Sequence, residues 1–199
     1  MKGRVFGLTG GIACGKSVVS GIFSSQGIPM VDADVVARDI VAPGTQALAL
    51  LVSNFGPEIL LPDGSLDRPA LGAIVFADPK KRSILDHTLR RYLQDEIRNR
   101  LRVASERNPL VGFEAPLLIE RGYQNEYRPL IVVALPPEIQ LQRLMERDGF
   151  TQGEAQARID SQLPIEEKIQ IADYVLWNNG SKDELIREAL HVLSKIKFS

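Results

Sequence analysis

One stretch near the start constrains this chain more than any other: Gly10-Gly11-Ile12-Ala13-Cys14-Gly15-Lys16-Ser17. It fits GxxxxGK[ST], a loop whose backbone N–H groups wrap phosphate oxygens. An apolar run, Val5-Phe6-Gly7-Leu8, precedes it, and a helix-like run, Val18-Val19-Ser20-Gly21-Ile22-Phe23, follows it. Strand, glycine loop and helix is the setting in which such a loop works, because the positive end of the helix dipole then faces the same anion as the loop amides. Gly10 and Gly15 permit the tight turn. Lys16 has the reach to touch β- and γ-phosphates, and Ser17 carries a hydroxyl suited to Mg²⁺. The expected nucleotide cradle is therefore Gly10, Gly11, Ile12, Ala13, Cys14, Gly15, Lys16, Ser17 and Val18. The motif implies nucleoside triphosphate binding and leaves the reaction open.

A length of 199 residues suffices for one full core with an insertion or a lid. The formal charge of −1 gives no reason to expect a nucleic acid or a membrane as partner. The single cysteine, Cys14, excludes an internal disulfide and a cysteine-built metal site. A helix N-terminus lowers a thiol pKa, so Cys14 is either a reactive group or simply a small side chain tolerated in the loop. The N-terminus runs straight into a strand, and no apolar run approaches about 20 residues, so a cytoplasmic protein is expected. A monomer or weak homo-oligomer is expected.

Along the chain, Gly27 to Val31 reads as a second strand, with a helix starting around Asp32-Ala33-Asp34. Helical spacing continues to about Phe55, broken at Pro43-Gly44. Pro57 to Ser65 reads as a turn or small hairpin. Asp67 before Pro69 suits a helix start, and an Arg- and Leu-rich helix runs from Asp78 to about Ser105. Leu110–Glu114 and Leu130–Ala134 are short apolar runs typical of buried parallel strands. A helix from Pro137 to Arg147 follows, and capping boxes are expected at Thr151/Glu154 and Ser181/Glu184. Tyr174–Trp177 reads as the last strand and Glu184–Ile196 as an amphipathic final helix. Strands alternating with helices imply a parallel α/β sheet covered on both faces. The helical block from about 57 to 105 interrupts that alternation as an insertion.

Phosphoryl transfer also needs a group to orient or deprotonate the acceptor. Asp32 and Asp34 end the second strand, and in an extended segment they would point the same way. They are a candidate base and Mg²⁺ partner, or else a helix-capping pair. Arg38, one turn on, would hold an anionic acceptor or pair with Asp34. Arg143 and Arg147 lie one turn apart before Asp148-Gly149, as in a lid closing on phosphates, or on a solvated helix face. Arg158 and Gln162 face similarly further along. His87 and His191 have no partner spacing.

At this point the chain resembles the dephospho-CoA kinase family. Leu8 to Ser17 is similar to its opening, and Val31-Asp32-Ala33-Asp34 with Ala37-Arg38 is similar to its DADxxAR segment. Asp63 to Arg68 resembles its middle insertion, and Pro116-Leu117-Leu118-Ile119-Glu120 its PLLFE segment. Gln142 to Gly149, Arg158-Ile159, Gln162, Glu167-Lys168 and Ala172 to Val175 follow its lid and last strand. Departures are Ala13-Cys14 for a Gly-Ser-type pair, Val18 for Thr, Glu114 for Asp, Arg90-Arg91 for His-Pro, and Trp177-Asn178-Asn179 for a more acidic ending.

The resemblance implies a nucleoside-monophosphate-kinase-like fold with five parallel strands. It implies one domain over 1–199, with a core (about 1–56, 106–136, 172–199), an acceptor-binding insertion (about 57–105) and a lid (about 137–171). It implies transfer of the ATP γ-phosphoryl group to the ribose 3′-hydroxyl of dephospho-CoA, with Mg²⁺. Catalysis falls to Asp34, Asp32, Lys16, Arg143 and Arg147, and metal binding to Ser17 and Asp32. Acceptor binding falls to Asp34, Arg38, Arg68, Glu114, Pro116 and Leu117. Another small-metabolite kinase, or a nucleotide-driven switch, is the competing expectation.

Overall fold

The computed structural model describes residues 3–198. Five strands form one sheet: β1 (Arg4–Gly10), β2 (Met30–Asp32), β3 (Leu110–Glu114), β4 (Leu130–Ala134) and β5 (Tyr174–Trp177), in the order β2-β3-β1-β4-β5. β1 pairs in parallel with β3 on one side, Leu8 opposite Glu114, and with β4 on the other, Gly10 opposite Val133. The chain leaves β1 toward one edge and later returns to fill the other. The loop after β1 therefore sits at the switch point of the sheet, where α/β folds bind ligands.

The strands are apolar on both faces because both are covered. Phe6, Leu8, Ile131, Val133 and Leu176 are buried in one cluster with Val19 and Phe23 of α1 (Lys16–Ser25). Leu185, Ala189 and Ile196 of α9 (Lys182–Phe198) join the same cluster. Val111, Phe113, Leu130 and Val132 are buried as well, and the Phe113 and Tyr127 rings lie 4.6 Å apart. The Arg4 guanidinium donates to the Ile196 carbonyl, fastening the end of α9 to β1.

Between β4 and β5 come α6 (Pro137–Asp148), α7 (Gln152–Asp160) and α8 (Ile165–Ile171). α6 ends on Gly149 at φ 69°, a left-handed stop. The Thr151/Glu154 capping box forms in full, and Ser181 and Glu184 exchange the same pair of bonds before α9.

The chain divides into two compact units, 1–31 with 101–199, and 32–100. The second holds α2 (Ala33–Asp39), α3 (Gln46–Phe55), a 3₁₀ turn at Pro57–Ile59, α4 (Arg68–Ala77) and most of α5 (Pro79–Arg107). Each helix start has a reason. Thr45 accepts from Leu48 N–H, Asp67 from Ala70 N–H, and Asp78 from Lys80 N–H. Leu60 and Leu66 bridge antiparallel, the small hairpin expected between Pro57 and Ser65. Val41, Leu51, Phe55, Ile59 and Leu71 form a separate core with Leu85, Leu89 and Tyr92 of α5 against it. This unit begins at Asp32, and Ile40 and Val41 after α2 share its core with Leu51 and Phe55 of α3.

Candidate phosphate-binding site

Gly10 ends β1 where a Cβ would stand 2.5 Å from the Val133 carbonyl oxygen. Glycine is needed there for two strands to approach. The loop then turns through Ala13 at φ 60° and Gly15 at φ 87°, and Cys14 N–H donates to Gly11 O at 3.2 Å. Gly15 caps α1, so Lys16 and Ser17 form its first turn, with Ser17 and Val18 exposed at the dipole's positive end.

Three side-chain amides from distant parts of the sequence grip this loop. Gln140 Nε2 of α6 donates to Ile12 O at 2.9 Å. Gln162 Oε1, in the turn after α7, accepts from Ile12 N–H at 2.9 Å. Asn178 Nδ2, one residue past β5, donates to Cys14 O at 3.0 Å. Of these, only Gln162 stands in a stretch that the sequence singles out for the site. Asn178 stands out only as a departure from the family's more acidic ending, and Gln140 carries no local signal.

Lys16 Nζ lies 2.5 Å from Glu114 Oε1, with side chains 14% and 4% exposed. The register that sets Glu114 opposite Leu8 puts this carboxylate at the C-terminal end of the strand beside the loop. Glu114, which the resemblance assigns to the acceptor, pairs with the loop lysine because β3 is the immediate neighbour of β1. Pro116 and Leu117 follow, half-buried. The Pro116 carbonyl accepts from Thr9 Oγ1 and from Lys168 Nζ, each at 3.3 Å. Lys168, on α8, is fully buried and pairs with Glu120 at 2.7 Å. Glu120 also accepts from Leu163 N–H.

Burial pushes the Cys14 thiol up to about 11, against smaller lowering effects that include the charges of Lys168 and Arg143. At neutral pH the thiol is protonated, so the small-side-chain alternative is the one the structure supports. Arg147 forks onto Asp148, both bonds at 2.8 Å, and this holds the Asp148 carboxyl below its usual range. Arg158 stacks 3.9 Å above the Phe150 ring.

In the second unit, Asp32 is the N-cap of α2, and its Oδ1 accepts from Asp34 N–H at 2.7 Å. Asp34 already belongs to the helix, so the strand alternation expected to align the two carboxylates does not apply. Arg38 Nε donates to the Asp34 carbonyl at 3.2 Å, and Arg68 is exposed in the first turn of α4. A cleft of about 520 Å³ within this unit is lined by Asp39, Gln46, Tyr92, Asp95, Glu96 and Arg100. Arg100 already binds Asp39 and Glu96 there. Three carboxylates against one occupied guanidinium make the cleft unsuited to an anion.

Among the described residues no helix is long and apolar enough to cross a membrane, and no three metal-ligating side chains cluster.

A family model described as dephospho-CoA kinase matches residues 4–184. A dephospho-CoA kinase from Enterococcus faecalis is 47% identical, with 91% of each chain covered. One from Arabidopsis thaliana is 43% identical over 98% of this chain and 84% of its own. The dephospho-CoA kinase structure from Campylobacter jejuni superposes with a TM-score of 0.71 at 30% identity, covering 97% of both chains. A shikimate kinase from Acinetobacter baumannii reaches 0.55 at 17% identity, covering 98% and 93%, which is a likeness of fold alone.

Proposed function

The chain belongs to the dephospho-CoA kinase family, and on that premise we propose that it transfers the γ-phosphoryl group of ATP to the ribose 3′-hydroxyl of dephospho-CoA, giving CoA and ADP, in the cytoplasm. One P–O bond forms to the ribose oxygen, and the bond to the β–γ bridging oxygen breaks. The hydroxyl proton leaves to a carboxylate.

The observation that carries the reading is the Lys16–Glu114 pair at the Gly10–Ser17 loop, in a chain the family model matches over residues 4–184. Lys16 has three N–H donors, so it can keep Glu114 and still face a phosphate oxygen. The loop amides beyond Ile12 and the start of α1 supply further donors aimed at developing negative charge. Arg143, on α6 one turn after Gln140, is a candidate further cation.

The donors present suit Mg²⁺, which takes one or two carboxylates and completes its shell with phosphate oxygens and water. Ser17 and Glu114 would hold it, with Asp32 as the further carboxylate. When bound, the ion neutralises charge on the β- and γ-phosphates. Asp34, in the first turn of α2, is the candidate base, and Arg38 and Arg68 are candidates to hold the anionic acceptor. The acidic cleft lined by Asp39, Asp95 and Glu96 is not assigned to the acceptor's phosphates.

The test is ATP consumption with and without dephospho-CoA, with the product identified by mass and its phosphate located by 3′-specific nucleotidase. Release of ADP matched by a 3′-phosphorylated product is expected. Equal turnover of shikimate, gluconate or a nucleoside monophosphate would reject the assignment.

A further inference from the structure

The two glutamines on Ile12 hold more than a side chain. Ile12 N–H belongs to the peptide plane before its Cα and Ile12 O to the plane after it. Gln162 holds the first and Gln140 the second, each at 2.9 Å. With both planes fixed, φ and ψ of Ile12 are fixed. The next residue is Ala13 at φ 60°, a conformation unfavourable for a residue with a Cβ. Asn178 then holds the carbonyl of Cys14. Within the loop itself Cys14 N–H bonds back to Gly11 O, and the three amides add the holds that come from outside it.

The chemistry of the holders fits the task. A carboxamide meets a peptide N–H or C=O with a full hydrogen bond and no net charge. A carboxylate at 162 would accept the same N–H and also repel a triphosphate. Gln140 is buried, 3% exposed, and lies on α6 one turn before Arg143. Its bond to the loop therefore also ties α6, the helix that carries Arg143, to Ile12.

We propose that Gln140 and Gln162 are positioning residues for phosphoryl transfer: together they clamp the two peptide planes of Ile12 and so fix both the phosphate loop and the seat of Arg143. The inference rests on the kinase reading above and extends it to two residues that act through Ile12.

The test uses Gln162→Met and Gln140→Met, which keep length and apolar bulk and remove the bonds. ATP affinity is measured calorimetrically without acceptor, so a failed acceptor assignment leaves this readout standing. Each variant is expected to weaken ATP binding by about tenfold, the scale of one well-aligned hydrogen bond. In turnover, kcat at saturating ATP is expected to fall further, by about ten- to a hundredfold, because the loop is misplaced in the transition state. The KM for dephospho-CoA and the nucleotide-free Tm stay near wild type. The double variant is expected to be no worse than the product of the singles, since both bonds act on one residue. ATP affinity and kcat at wild-type values overturn the proposal, as does a fall in Tm with both unchanged. Gln162 is only half-buried, so Gln162→Met decides the matter even if Gln140→Met fails to fold.

Discussion

Lys16 joins two requirements in one side chain. Its ammonium is proposed to serve the transferring phosphate, and it is also the partner of a carboxylate that is only 4% exposed. Replacing it with Ala removes a cation from the reaction, which is expected to cost two or more orders of magnitude in kcat, roughly 3 kcal/mol of barrier or more. It also leaves Glu114 buried without its partner, which is expected to lower stability by about 3 kcal/mol. Adding Glu114→Gln separates the two effects. The double variant should recover much of the lost Tm and none of the lost turnover. Recovered turnover would show that Lys16 serves packing alone. The loop and the place of its lysine are legible in the sequence, since GxxxxGKS is a local pattern. The role of Glu114 is not, because it follows from which strands are neighbours. The paired aspartates mark the same limit, for alternation along a strand says nothing once the helix has begun at Ala33.

Elements are where the sequence speaks most plainly. β3, β4 and β5 occupy the expected apolar runs, and the Thr151 and Ser181 caps form at the expected residues. Each depends on a short window: a buried strand needs a few β-branched residues in a row, and a cap needs two polar residues three apart. What holds α8 in place is not of that kind. Lys168 reaches Glu120 and the Pro116 carbonyl, and Glu120 reaches the turn before α8 at Leu163. Glu120→Ala leaves a fully buried ammonium with one neutral acceptor, the Pro116 carbonyl. A loss of about 3 kcal/mol is expected, a Tm lowered by about 6–12 °C at this chain length. A Tm within 2 °C of wild type, roughly the scale of half a kcal/mol, would mean the pair is solvated and idle. The amides gripping the loop escape sequence reasoning for a related reason. Gln140 and Gln162 bind Ile12 from 128 and 150 residues away, and a glutamine near a helix end looks the same whether or not it has such a partner.

For the whole molecule, the buried thiol gives a stability signature in alkali. Folding raises the Cys14 pKa from 9.0 to about 11, chiefly by burial. Below pH 9 both states keep the proton and the contribution is constant. As pH rises from 9 toward 11 the unfolded chain ionises while the folded one does not, so stability is lost, by roughly 3 kcal/mol in all. Urea midpoints of wild type and Cys14→Ala should therefore converge or cross over this interval, and midpoints with a constant separation would contradict it. The order in which the loop's supports appear along the chain has a further consequence for a polypeptide made from its N-terminus. The Gly10–Ser17 loop is synthesised well before Gln140, Gln162 and Asn178, which hold it. At roughly 5–20 residues per second, the nascent loop waits on the order of ten seconds for its last brace. An unfinished chain on the ribosome would thus carry a complete nucleotide motif and little hold on ATP, and capture of the nucleotide would mark the moment translation has delivered the final strand.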